Sequence, residues 1–199
     1  MRKFLLTALS CLAFCFALAQ ETATIDGIKY SLYSNGEAAI SYQDEYLTGD
    51  IVIPEKVSYN DIDYTVTKVD DEAFKNESGI TSIVLPNSII FLGDHCFYDC
   101  SRLESITLPN SITSLGYACF YNCRSLKSII LPDGITSVED DCFRNCINLK
   151  SITLPDGIIS LGLWCFFGCS SLESITLPEG ITSLGFDCFS GCRSLKSIT

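Results

Sequence analysis

Leu-Pro recurs at Leu85-Pro86, Leu108-Pro109, Leu131-Pro132, Leu154-Pro155 and Leu177-Pro178, each 23 residues after the last. Cys-Phe keeps the same register at Cys96-Phe97, Cys119-Phe120, Cys142-Phe143, Cys165-Phe166 and Cys188-Phe189. A second cysteine follows each first one by four residues, at Cys100, Cys123, Cys146, Cys169 and Cys192. Five complete units run from Gly79 to Arg193, and a sixth begins at Ser194 and stops at Thr199. A unit this short cannot bury its own apolar face, whereas stacked copies share one continuous core. The period therefore points to a solenoid.

Each unit has a physical reading. Leu103-x-x-Ile106-x-Leu108 alternates at its end, as a short strand buried on one face should. Pro109 stops that strand because it has no amide donor. Pro132-Asp133-Gly134 and Pro155-Asp156-Gly157 suit the central and last positions of a type I turn. Ile112 and Leu115 return to the core, and Gly116 precedes a short helical turn carrying Cys119, Phe120 and Cys123 inward. Stacking such units predicts an α/β solenoid, with a parallel sheet on the concave face and short helical turns on the convex face. At about 4.8 Å per strand, six units make a sheet roughly 30 Å long.

The repeat L-x-x-I-x-L, then P-x-x-I-x-x-L-G-x-x-C-F-x-x-C, resembles the 23-residue leucine-rich repeat of BspA-like bacterial surface proteins. The resemblance covers about residues 25–199, including Ile28-Lys29-Tyr30, the stretch Tyr46–Pro54 and Tyr64-Thr65-Val66-Thr67. It implies a leucine-rich repeat fold, export, and for some members adhesion to host matrix proteins or other cells. One departure is visible. The family usually has alanine before the phenylalanine, as in Ala73-Phe74, where the five regular units here have cysteine.

The two ends of the chain differ from the array. Residues 1–19 pair a basic start (Arg2, Lys3) with an apolar run from Phe4 to Ala17 and a small-x-small ending at Ala19, which reads as a signal peptide cut before Gln20. That run is short for a membrane span, Cys11 fits a lipidation signal poorly, and no later segment resembles a transmembrane helix. Residues 20–78 read as an N-terminal cap with an irregular first repeat. Ile28–Tyr33 and Glu37–Tyr42 flank Ser34-Asn35-Gly36 as a β-hairpin. Ile51-Val52-Ile53 supplies the first solenoid strand, and Val57–Tyr59 and Ile62–Val66 form a second hairpin around Asn60-Asp61. Glu77 stands in the second cysteine column as an outward polar residue of the cap, and Asn76-Glu77-Ser78 matches a glycosylation sequon. Residues 79–199 hold the five units and the truncated sixth. The chain stops inside a strand, so the expectation is a fragment of a longer protein, or an uncapped C-terminal end closed by end-to-end contact with a partner.

Composition narrows the function. The formal charge is −11, and loss of the leader with its two bases and no acids moves it to −13. Such a surface repels nucleic acid and anionic lipid. One histidine, His95, leaves little material for histidine-based metal or nucleophilic chemistry. His95 itself reads as an exposed helix residue. No catalytic residue, metal ligand or cofactor site is expected, and the chain is not read as an enzyme. The ten cysteines of the array have three readings: metal ligands, disulfides, or small apolar core residues. The spacing C-x-x-x-C is poor for zinc and for an intra-helix bridge, bridges between stacked units are sterically conceivable, and the core reading is preferred.

Two exposed surfaces are candidates for binding extracellular or host proteins. The sheet's outer face presents Ser105, Thr107, Ser128, Ile130, Ser151, Thr153, Ser174 and Thr176 as a flat strip. Its bland reading is a solvated β-surface. Beside it, Glu104, Lys127, Lys150, Glu173 and Lys196 predict ion pairs at 104/127, 150/173 and 173/196. On the convex side Tyr98, Tyr117, Tyr121, Leu163, Trp164, Phe167 and Phe186 should project outward, with Asp140 and Arg144 pairing at i, i+4. Clustered aromatics mark interaction sites when free and packing sites when tucked between turns, and Trp164 with Phe167 is the candidate anchor pair. The expected function is an exported, surface-displayed protein-binding or adhesion module. The alternative is a rigid spacer presenting another domain.

Overall fold

The computed structural model describes residues 19–199; of the expected leader only Ala19 falls among them. Three strands open the chain: β1 (Ala19–Ile25), β2 (Ile28–Tyr33) and β3 (Glu37–Ile40). β1 and β2 pair antiparallel across Asp26-Gly27, whose φ angles of 49° and 80° are those of a tight hairpin turn. The sequence reading missed this turn, although Asp-Gly between isoleucines is a standard signal for it. The expected hairpin β2–β3 is present, with β3 ending at Ile40 rather than Tyr42. The second hairpin is present too: β5 (Lys56–Tyr59) and β6 (Ile62–Val69) turn at Asn60-Asp61, both with positive φ.

β3 pairs parallel with β6, and β6 with β8 (Phe91–Leu92), so the cap sheet runs on into the array. One row of strands then runs through β10 (Ser114–Leu115), paired with β8, and resumes after a lapse in pairing with β12 (Ser137–Val138), β14 (Ser160–Leu161) and β16 (Ser183–Leu184). The other comprises β4 (Thr48–Val52), β7 (Gly79–Val84), β9 (Ser105–Thr107), β11 (Ser128–Ile130), β13 (Ser151–Thr153), β15 (Ser174–Ile175) and β17 (Ser197–Ile198). Ser82 faces Ser105, Ser128 faces Ser151 and Ser174 faces Ser197, a 23-residue step each time. Each coil thus carries two short parallel strands where one was expected. The alternation in β9, β11 and β13 places Ile106, Ile129 and Ile152 inside and the flanking Ser, Thr and, in β11, Ile130 outside. Proline occupies the first turn position and not the second: the carbonyls of Pro109, Pro132 and Pro155 accept the amides of Ile112, Ile135 and Ile158.

The expected helical turns are absent; no helix occurs among the described residues, and the α/β assignment is corrected to a β solenoid closed by turns. Two residues per coil have left-handed backbone. One column is Glu72, His95, Ala118, Asp141, Trp164 and Asp187; the other is Asn76, Asp99, Asn122, Asn145, Gly168 and Gly191. A left-handed residue every fourth position breaks a right-handed helix. It also re-aims amides along the stack: Ala118, Phe120 and Asn122 donate to carbonyls of Asp140, Cys142 and Arg144 in the next coil. Tyr121 and Cys123 close local turns onto Ala118 and Phe120. The second column, all Asn, Asp or Gly, was the legible signal.

The core is one continuous cluster along the stack. At its centre Phe74, Phe97, Phe120, Phe143, Phe166 and Phe189 stack face to face at 5.2 to 5.5 Å. Glu77 departs from expectation: it is buried, and its carboxylate accepts the Leu47 amide at 2.7 Å. Burial pushes its carboxyl above the usual range, and the Leu47 amide partly offsets this.

The turn geometry has a direct test. Asn145 sits at φ 59°, where glycine is unstrained and alanine is strained. Asn145→Ala is expected to lower stability by about 1–2 kcal/mol, while Asn145→Gly stays near wild type. A helix demands the reverse order, because glycine there is about 1 kcal/mol worse than alanine. Urea titrations of the two variants decide between the geometries.

Candidate functional site

The turn side carries a second aromatic stack, outside the buried one. Lys75 Nζ lies 5.8 Å from the Tyr98 ring centre, and Tyr98 stacks on Tyr121 at 4.6 Å. The Arg144 guanidinium then covers Tyr121 at 5.7 Å, Trp164 at 5.6 Å and Phe167 at 4.9 Å. Three of the predicted outward residues are therefore half-buried against one cation. Arg144 is held in turn by Asp141, not by Asp140 as the helical spacing suggested. With Asp141 in left-handed backbone, i, i+4 residues are no longer neighbours. The buried Asp141 carboxylate accepts from Arg144 Nη1 at 3.0 Å and from the Tyr117 hydroxyl at 3.0 Å. Asp140 instead accepts the Leu163 amide at 2.6 Å.

His95 is not the free helix residue expected. It is half-buried on a turn, with its ring 5.0 Å from Tyr117 and 5.6 Å from Tyr98. Tyr117 and Leu163 keep about two fifths of their surface exposed. Phe186, in the last full coil, is more exposed.

The sheet side is built differently. Ser105, Thr107, Ser128, Ile130, Ser151, Thr153, Ser174 and Thr176 are all exposed and lie side by side. In line with Thr107 stand Val52, Val84 and Ile130, apolar side chains open to solvent. Ladder pairing links β7 to β9, β11 to β13 and β15 to β17, and lapses between β9 and β11 and between β13 and β15. At the first lapse lies a depression of about 350 Å³, lined by Ser105, Thr107, Asn110, Ser128, Ile130 and Asp133. Of the charge column beside it, Lys127 pairs with Glu104 and Lys196 with Glu173. Because Glu173 is taken by Lys196, Lys150 makes no ion pair among the described residues. Such exposed pairs contribute at most about 1 kcal/mol each and chiefly fix register.

Nine of the ten array cysteines are buried, and no disulfide joins any two of them in this structure. Burial pushes Cys119, Cys123 and Cys142 far above the usual thiol range, which removes them as nucleophiles in the folded protein. No group of three or more potential metal-binding side chains occurs among the described residues. No helix of the described residues is long and apolar enough to cross a membrane.

Comparison with solved structures returns bacterial leucine-rich repeat proteins. A leucine rich cell surface protein from Faecalibacterium prausnitzii is 26% identical, with a TM-score of 0.70, over 90% of this chain and 54% of that one. A leucine-rich repeat protein from Bacteroides ovatus is 28% identical, with a TM-score of 0.70, over 89% of this chain and 52% of that one. The chain therefore spans about half the length of both. A leucine rich repeat protein of T. pallidum, 22% identical with a TM-score of 0.72, covers 88% of this chain and 91% of its own, and shows the fold alone. No curated protein matches the sequence. The family model described as BspA type Leucine rich repeat region matches residues 53–143 and 114–199, in six copies. With the 23-residue coils and their parallel ladders, this match establishes that the chain belongs to the BspA-type leucine-rich repeat family.

Proposed function

We propose that the chain is an exported protein-binding module, displayed at a bacterial cell surface and engaging extracellular or host proteins through its Ser/Thr sheet face. One observation carries the choice of face: the strip from Ser105 to Thr176 is exposed and unoccupied by other side chains of the chain, with a depression between β9 and β11. The anchor candidates of the turn side, Trp164 and Phe167, are engaged by Arg144. A flat hydroxyl strip offers hydrogen bonds, and Val84 and Ile130 add apolar contact beside it. The family and the F. prausnitzii cell surface protein support display at a surface. In that setting residues 1–19 act as the leader, and the mature protein begins at Gln20.

Binding is tested by surface-immobilised extracellular-matrix proteins presented to the protein and to two variants. Thr107→Arg with Ser128→Arg, which fills the depression, is expected to weaken binding at least tenfold, about 1.4 kcal/mol or more. Trp164→Ser with Phe167→Ser is expected to leave it within twofold when the variant is folded. The opposite pattern moves the site to the turns, and no binding across a broad panel favours a rigid spacer. That second reading has its own support in the aromatic stack from Phe74 to Phe189, which ties every coil to the next.

A further inference from the structure

The two cysteine columns are alike in sequence and unlike in structure. In the second column every sulfur points at a backbone carbonyl: Cys100, Cys123, Cys146, Cys169 and Cys192 donate to Phe74, Phe97, Phe120, Phe143 and Phe166 at 3.0 to 3.1 Å. In the first column two sulfurs of neighbouring coils face one another instead: Cys96 Sγ and Cys119 Sγ are 3.3 Å apart. Neighbouring parallel strands stand about 4.8 Å apart. Residues stacked at that spacing fall inside the range of about 4.4–6.8 Å that a disulfide spans between α-carbons.

We propose that Cys96–Cys119 is an oxidation site, a disulfide that staples two adjacent coils, while the other eight array cysteines remain thiols. The proposal rests on export, since disulfides persist in oxidising compartments. The staple forms by exchange with a disulfide donor such as glutathione disulfide. One protein thiolate attacks a donor sulfur, forming a mixed disulfide and releasing half the donor as a thiol. The second cysteine then loses its proton, and its thiolate attacks the protein sulfur of the mixed disulfide. The other donor half leaves and takes up that proton. Two protein S–H bonds and one donor S–S bond thus become one protein S–S bond and two donor S–H bonds. Burial pushes the thiols of Cys96 and Cys119 up, so this exchange belongs to folding, before the coils close.

The test is refolding of the reduced full chain with reduced and oxidised glutathione, followed by denaturation, alkylation and peptide mapping. Cleavage after Arg102 separates the two cysteines. The expected map has one linked pair of peptides, 96 with 119, and the other eight array cysteines alkylated. Reductant should then lower the melting temperature by several degrees, and Cys119→Ala should abolish that dependence whatever its effect on absolute stability. Ten alkylated array thiols, or a bridge between any other two array cysteines, would overturn the proposal. Because the donor is supplied in the tube, these outcomes judge the staple alone. Export is judged separately, by whether protein recovered from cells begins at Gln20.

Discussion

Phe120→Ala is expected to lower stability by about 3–5 kcal/mol, the usual cost of truncating a fully buried phenylalanine, and to split unfolding into two steps. Phe120 is completely buried and stacks on Phe97 at 5.2 Å and on Phe143 at 5.4 Å. Its loss opens a cavity in the middle of the stack and removes both ring contacts at once. In a solenoid each coil touches only its neighbours, so cooperativity passes through every interface in series. A weak middle interface lets the C-terminal coils melt apart from the rest. Trp164, the single tryptophan, reports on those coils, whereas far-ultraviolet circular dichroism reports on the whole array. The two signals should coincide in wild type and separate in the variant. Phe189→Ala is the internal control: it is only partly buried, stacks on Phe166 alone, and should cost less without splitting the transition. Coincident curves with an unshifted midpoint for Phe120→Ala would refute the coupling by the aromatic stack.

The array was legible because one residue type does one job in every coil. Leu-Pro, the alternating Ser-Ile-Thr and the Cys-Phe columns each recur with a 23-residue step, and a parallel ladder with that step is what the strands show. The turn side was misread for a definite reason. Cysteine, phenylalanine and cysteine at i, i+1 and i+4 fit the inner face of a helix, and they fit equally the inner side of a double turn. The Asn/Asp/Gly column from Asn76 to Gly191 separates the two, because those residues tolerate left-handed backbone. The other left-handed column carries Glu, His, Ala, Asp, Trp and Asp and has no such signal. Its geometry is imposed by the hydrogen bonds between coils, a tertiary effect no local pattern records. The same holds for Arg144. Sequence spacing placed it near aromatics, but only the turn geometry decides that Asp141 holds it and that three rings surround it. The sheet face, by contrast, was readable residue by residue, since alternation alone decides which side chains leave the core.

Arg144→Ala joins the stability of the turn side to the question of which face is free to bind. The guanidinium neutralises the buried Asp141 carboxylate and spans three rings, while about a third of the side chain stays exposed. Its removal leaves Asp141 with the Tyr117 hydroxyl as its remaining side-chain donor. Breaking a buried pair from one side costs about 3–5 kcal/mol, and the partial exposure of Arg144 puts this case near the lower end. Lost cation–π contacts add about 0.5–1 kcal/mol each at such sites. A loss of at least about 3 kcal/mol is expected, together with a red shift of Trp164 emission as its ring loses the cover. Asp141→Asn with Arg144→Met, which removes both charges and keeps the bulk, should recover much of the loss, because no unpaired charge is left behind. If Arg144→Ala leaves both the unfolding midpoint and the Trp164 spectrum unchanged, the rings are not held by the cation. Trp164 and Phe167 would then be free to serve a partner, and the sheet face would lose its claim as the binding surface. A large loss with a shifted spectrum has the opposite consequence: the aromatics of the turn side are consumed in holding the coils together, and recognition falls to the exposed hydroxyl strip of the sheet.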